Sequence, residues 1–167
     1  DRWLALADTN HVIRVVNALN GSPLVELKGH TNTITLLSFS ADGRWLGPWV
    51  TGRTVRLFEV ARAPECRVLP AETGIQPSNG AFSPDGRWLV TACGEKTARV
   101  WDAQTGQPLT EPLKYANVVT SAQFSPDGKR LLTICNDHTA RVWDTQTGQP
   151  LAEPLKHDAW VVQPNQS

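Results

Sequence analysis

Hydrophobic positions along this chain fall into short runs, each ended by a cluster of Gly, Pro, Asp, Asn or Thr. The segment 118–155 shows this most plainly. "VVTSAQF" is built largely from small and β-branched residues, which suits a strand. "SPDG" follows, with Pro and Asp at the centre of a turn and Gly at its end, a type I pattern. "KRLLTIC" predicts a second strand, "NDHT" a tight polar connection, and "ARVWD" a third strand alternating with period two. "TQTGQ" supplies the next turn, where Gly148 is free to take positive φ. "QPLAEPL" predicts a fourth, outer strand, because its prolines cost no ladder bond at an edge. Apolar spacing of three and four persists nowhere, so no helix is expected.

The same order of elements returns along the whole chain. Residues 97–109, "TARVWDAQTGQPL", and 139–151, "TARVWDTQTGQPL", differ at one position and lie 42 residues apart. "FSADG" at 39–43 is followed by "FSPDG" at 82–86 and at 124–128. Arg14, Arg56, Arg99 and Arg141 keep this interval, as do Trp3, Trp45 and Trp88, with Arg130 at the fourth place. A fixed period of about 40–45 residues marks stacked copies of one supersecondary unit. Four short antiparallel strands per unit make the blade of a β-propeller. The expected fold is therefore all-β, a single propeller region of about four blades over residues 1–167. It divides into a partial blade at 1–28, blades at 33–69, 74–113 and 118–155, and part of an inner strand at 159–166.

With the copies in register, "FSPDG…LLTICNDHTARVWD…TG" resembles the WD-repeat propeller family. The "WD" dipeptide stands at Trp101-Asp102 and Trp143-Asp144, and "KGH" at 28–30 resembles the Gly-His that precedes the family's inner strand. The form "TGQPL-x-EPLK" is similar to WD-repeat arrays of bacterial multidomain proteins. The resemblance also implies a structural tetrad in each blade: a His before the inner strand, a second-strand Ser/Thr, an Asp in the next turn, and the third-strand Trp. Mapped onto this chain, the last full unit offers Thr133, Asp137 and Trp143, with Tyr115 in the His place. The preceding unit has Thr91 and Trp101, with Glu95 in the Asp place and Thr73 in the His place. The next one back keeps His30 but presents Pro48, Gly52 and Phe58. No unit is complete. Pro48 also removes a ladder donor, so an irregular or shortened second strand is expected in blade 33–69.

Composition narrows the chemistry. Sixteen Lys+Arg balance sixteen Asp+Glu, scattered singly, which argues against nucleic acid as a partner. No apolar run approaches the roughly 18 residues of a membrane-crossing helix, so no membrane partner is expected. Cys66, Cys93 and Cys135 form no C-x-x-C pair, and the last two occupy equivalent places one repeat apart. Reduced, buried thiols and a cytoplasmic setting are the expectation. The opening "DRWL" and the lack of methionine suggest a piece of a longer protein. His11, His30, His138 and His157 sit in separate connections without metal spacing. No G-x-S-x-G elbow and no Gly-rich phosphate loop is present. No catalytic residue, metal or cofactor is expected. Asp102 and Asp144 recur at the repeat period and read as structural strand ends. Arg99 and Arg141 share a strand face with Trp101 and Trp143; their stems should pack there while their heads reach a nearby carboxylate.

Function is better sought where the copies disagree. Arg53, Lys96, Tyr115, His138 and Trp160 fall in connections placed on one rim, where a rigid scaffold holds variable loops. Tyr, Trp and Arg are common interface anchors. The expected function is a non-catalytic protein–protein interaction scaffold, a fragment of a larger bacterial multidomain protein whose partners are other proteins. Closure as a four-bladed ring, an open arc of a larger ring, and self-association of two chains into an eight-bladed ring stay open. The alternative is a hydrolase or periplasmic component of another propeller family that also uses "SPDG" turns. The intact "WD" and "TG" landmarks count against it.

Overall fold

The computed structural model describes residues 3–28, 30, 33–50, 55–60, 66–69, 77–93 and 96–156. It contains four antiparallel sheets. The first comprises β1 (Trp3–Ala7), β2 (Ile13–Asn17) and β3 (Pro23–Leu27). The second comprises β4 (Ile34–Phe39), β5 (Trp45–Val50), β6 (Val55–Glu59) and β7 (Cys66–Leu69). The third comprises β8 (Pro77–Phe82), β9 (Trp88–Cys93), β10 (Thr97–Asp102) and β11 (Leu113–Lys114). The fourth comprises β12 (Val119–Phe124), β13 (Arg130–Cys135), β14 (Thr139–Asp144) and β15 (Leu155–Lys156). Within each sheet the strands lie side by side in chain order, and the sheets stack in chain order as the blades of a propeller.

Each blade gives one face to the blade before it and the other to the blade after it. This is why the third strands are buried on both sides. In β10, Val100 is buried with Ala98 in the cluster shared with the fourth blade, while Trp101 is buried in the cluster shared with the second. The three clusters are copies of one design. Ile13 and Val15 meet Leu46 and Phe58; Val55 and Leu57 meet Leu89 and Trp101; Ala98 and Val100 meet Leu131 and Trp143. Burying each such side chain contributes about 1.5–3 kcal/mol. These interfaces hold the arc together without any one tetrad being complete.

The turns obey one rule. After each inner strand the amide of Gly43, Gly86 or Gly128 donates to the carbonyl of Ser40, Ser83 or Ser125, three residues back. Each glycine has φ near +70°, so a type I turn ends in one left-handed residue. The serine and aspartate close the turn: Ser125 Oγ donates to Asp127 Oδ1 at 2.5 Å, and Arg130 N–H donates to Ser125 Oγ at 3.0 Å. Successive turns nest. A Cβ on Gly86 would come within 3.1 Å of Asp42 Oδ1 and 3.2 Å of Ser40 Cβ.

One expectation needs correction. The outer strand is not continuous. In the fourth blade Pro150 forms a single bridge with Trp143, and pairing resumes only at Leu155–Lys156 against Ala140 and Thr139. The third blade repeats this with Pro108 opposite Trp101 and Leu113–Lys114 against Ala98 and Thr97. Prolines at 150 and 154, lacking N–H groups, bracket the gap. The expectation for Pro48 is met in part. β5 keeps six residues, and Pro48 stands in register opposite Leu37 of β4. On its other side, however, pairing with β6 stops after Trp45–Glu59 and Leu46–Phe58, where the third and fourth blades pair six residues, as a lost ladder donor predicts.

Candidate interaction surface

Tyr115, expected on the rim, belongs to the interior. It is only 8% exposed, and its hydroxyl donates to Thr133 Oγ1 at 2.7 Å. The Trp143 indole N–H donates to the same oxygen at 2.9 Å. The two rings meet edge to face at 5.7 Å. Burial pushes the Tyr115 phenol well above its ordinary range, although its bond to Thr133 opposes that shift. The blade thus holds a three-member network in which a tyrosine does the work of the missing histidine. Asp137 is left out of it: the carboxylate accepts from Thr139 N–H at 3.1 Å and Thr139 Oγ at 2.5 Å.

The other blades keep parts of this arrangement. Trp101 N–H donates to Thr91 Oγ1 at 2.9 Å; Glu95 and Thr73 lie outside the described residues. In the second blade His30 is buried and packs edge-on to Phe58 at 5.7 Å, the spacing of the Tyr115–Trp143 pair. Burial, aided by Arg56 and His11, lowers the His30 pKa, which favours the neutral ring. Asp102 and Asp144 are structural as expected: each carboxylate accepts from the amide and hydroxyl of the threonine three residues on.

The repeated arginines divide. Arg14 reaches carboxylates, Asp8 at 2.9 Å and Glu26 at 3.0 Å. Arg141 does not follow that expectation. Its guanidinium lies 5.1 Å from the Tyr115 ring centroid and donates to the Lys114 carbonyl at 3.3 Å, because the neighbouring outer strand offers a backbone oxygen and an aromatic face there. Arg99 covers Trp101 at 5.4 Å.

Lys96 and His138 occupy the tight turns between second and third strands. Both have positive φ, 65° and 61°, and so does His11 at 61°. The amides of His11 and His138 donate to the carbonyls of Asp8 and Cys135, three residues back. This is the bond that ends the Ser-Pro-Asp-Gly turns, with a large cationic or imidazole side chain where those turns place glycine. Such a conformation costs a non-glycine residue on the order of 1 kcal/mol. Sequence reading grouped Lys96 and His138 with Tyr115 but missed His11, although the 42-residue ruler puts it in the same place. Arg53 and Trp160 lie outside the described residues.

On the opposite rim, a groove of about 390 Å³ is lined by Phe39, Phe82, Phe124, Pro84 and Pro126 at the ends of the inner strands. Its lining carries no titratable side chain, so it offers no acid or base, and the Ser83 hydroxyl is spent on Asp85. Among the described residues no group of three or more His, Cys, Asp or Glu is placed to hold a metal ion.

Comparison with known proteins agrees with this geometry. Residues 21–59, 73–102 and 107–144 match the model of the WD domain, G-beta repeat. An uncharacterised WD repeat-containing protein of Synechocystis is 29% identical over 106 residues, 63% of this chain and 30% of that protein. A target of rapamycin complex subunit of Schizosaccharomyces pombe is 36% identical over 64 residues, 38% of this chain and 20% of that protein. The chain thus spans less than a third of either relative. The crystal structure of the computationally designed Ika8 protein superposes with a TM-score of 0.77 at 24% identity, over 95% of this chain and 48% of that one.

Proposed function

Because the chain belongs to the WD-repeat family, we propose that it is a non-catalytic scaffold that binds other proteins, part of a larger bacterial multidomain protein working in the cytoplasm. The observation that carries this reading is the division of labour within the blade. Residues shared by the copies are spent on packing, as at Leu46, Leu89 and Leu131, all fully buried. The residues that vary and stand exposed, such as Lys96, sit on turns held by the sheets. The fission-yeast relative is a subunit of a complex, and the cyanobacterial relative supports a bacterial setting. The buried, unpaired thiol of Cys135 supports a reducing compartment.

The test is affinity purification of the full-length protein from its own cells, with Lys96→Glu as control. A defined set of proteins retained by the wild type and lost with the variant is expected. A hydrolytic activity that survives purification of this region alone would refute the reading.

A second reading rests on exposure at the end sheets. Leu4 is 49% exposed, whereas its repeat counterparts Leu46, Leu89 and Leu131 are fully buried. Leu155 is 55% exposed, whereas its counterpart Leu113 is 5% exposed. These positions form the blade-to-blade contact inside the arc, so self-association of the 167-residue chain through them is proposed. Analytical ultracentrifugation should show a dimer that Leu155→Glu dissociates; a wild-type monomer at high concentration would refute it.

A further inference from the structure

The net charge of the chain is zero, and the rim of the Gly43, Gly86 and Gly128 turns mixes Asp42, Asp85 and Asp127 with Arg44, Arg87 and Lys129. On the other rim, the first, third and fourth blades each set a lysine beside the left-handed residue of the corner turn. In the third blade Thr97 pairs with Lys114, and the Tyr115 amide donates to the Lys96 carbonyl at 2.9 Å, which sets Lys96 beside Lys114. In the fourth, Thr139 pairs with Lys156, which sets His138 beside Lys156. In the first, Ile13 pairs with Leu27, which brings the turn of His11 to Lys28. Lys28 is partly neutralised by Glu26 at 3.2 Å. Among the described residues no carboxylate lies within 4.0 Å of Lys96, Lys114 or Lys156, and all three are exposed.

The turn geometry sharpens the point. The same left-handed position is filled by glycine on the opposite rim and by His11, Lys96 and His138 on this one. Glycine would fit without strain. In the third blade the residue held there is an exposed lysine, beside the strand-end Lys114.

We propose that these corner pairs form a docking surface for an acidic protein segment, rich in Asp or Glu, whose carboxylates pair with successive blades. The proposal rests on the scaffold reading above and names the chemistry of its partner. A carboxylate-bearing segment fits better than nucleic acid. Polyphosphate binding draws on a long-range positive field and a continuous cationic track. Here the net charge is zero, and the exposed lysines are discrete, with Lys114 and Lys156 one blade apart. Short-range pairing with individual carboxylates needs neither.

The experiment uses the 167-residue chain and an array of fluorescent peptides of acidic, basic and neutral composition, with oligo(dT) alongside. Selective binding of acidic peptides, weakening as salt rises, is expected. Lys96→Glu/Lys114→Glu/Lys156→Glu should weaken it about tenfold, as several surface ion pairs are lost. Lys129→Glu on the opposite rim should leave it unchanged. Salt dependence of the wild type stands in if the triple variant does not fold. Binding confined to neutral or basic peptides, equal loss in Lys129→Glu, salt-independent binding of acidic peptides, or preference for oligo(dT) would each overturn the acidic-partner proposal while leaving a binding surface in place. No binding to any probe overturns the acidic-partner proposal alone, while the scaffold reading is decided by the purification of the full-length protein.

Discussion

Thr133→Val is the sharpest probe of the interior. The change keeps side-chain shape and removes one hydroxyl. That hydroxyl is fully buried and fully used: it accepts from Tyr115 Oη at 2.7 Å and Trp143 Nε1 at 2.9 Å, and donates to the Arg141 carbonyl at 3.4 Å. Valine leaves two donors buried without their acceptor. At roughly 1–3 kcal/mol for each orphaned group, the variant should lose about 2–5 kcal/mol. Thr91→Val removes the acceptor of Trp101 alone among the bonds resolved there, and should lose about 1–3 kcal/mol. Tyr115→Phe leaves Thr133 bonded to Trp143 and should lose only about 1 kcal/mol. Placed on top of Thr133→Val, however, it removes an orphan and should be neutral or stabilising. Urea denaturation followed by tryptophan fluorescence gives all four corners of this cycle. Strict additivity, or Thr133→Val no worse than Thr91→Val, would refute the shared-acceptor network.

Three further outcomes follow from the same structure. Gly86→Ala should destabilise by about 2–3 kcal/mol, since it needs φ near +71° and meets Asp42 and Ser40; Gly21→Ala, with the same φ sign and open space, should lose only about 1 kcal/mol. Trp143→Ala should lose about 3–5 kcal/mol, as for other buried aromatics, and a loss under about 1 kcal/mol by chemical denaturation would place the ring outside the core. Asp127 is held below the ordinary carboxylate range by the Ser125 hydroxyl and the Lys129 amide, and Asp144 by the Thr147 amide and hydroxyl. A depressed folded pKa gives stability that is present above the unfolded value and lost as pH falls through the folded one. Melting temperatures should therefore drop below about pH 4, and less steeply in Asp127→Asn.

Much of this architecture is legible in the chain because one unit is written several times. The 42-residue interval and the glycines at 43, 86 and 128 fix turns whose geometry tolerates little else. Where sequence reading failed, two structural roles shared one address. Tyr115 follows an outer strand and precedes an inner one, the position both of a rim loop and of the missing tetrad histidine. Only the inward direction of its ring decides between them. The outer strand misled for a related reason: prolines are compatible with an edge, and nothing in "QPLAEPL" tells a paired edge from one that leaves the sheet and returns. Pro48 was legible on one side only: pairing with β6 stops after Leu46, whereas toward β4 the flanking pairs at Leu46 and Trp49 keep the strand in register.

The nested turns make the arc mechanically one-sided. Along the Ser-Pro-Asp-Gly rim, Gly86 lies against Asp42 and Ser40, Gly128 against Pro84, and Gly43 against Trp3. That seam acts as the pin of a row of hinges, because at each turn a side chain of the preceding blade closes in to where a Cβ would stand. Bending about that pin opens or closes the far rim, where Lys114 and Lys156 stand one blade apart. A ligand that ties two corners together becomes a brace: it fixes the opening angle of the arc, and with it the spacing at which anything else can be held.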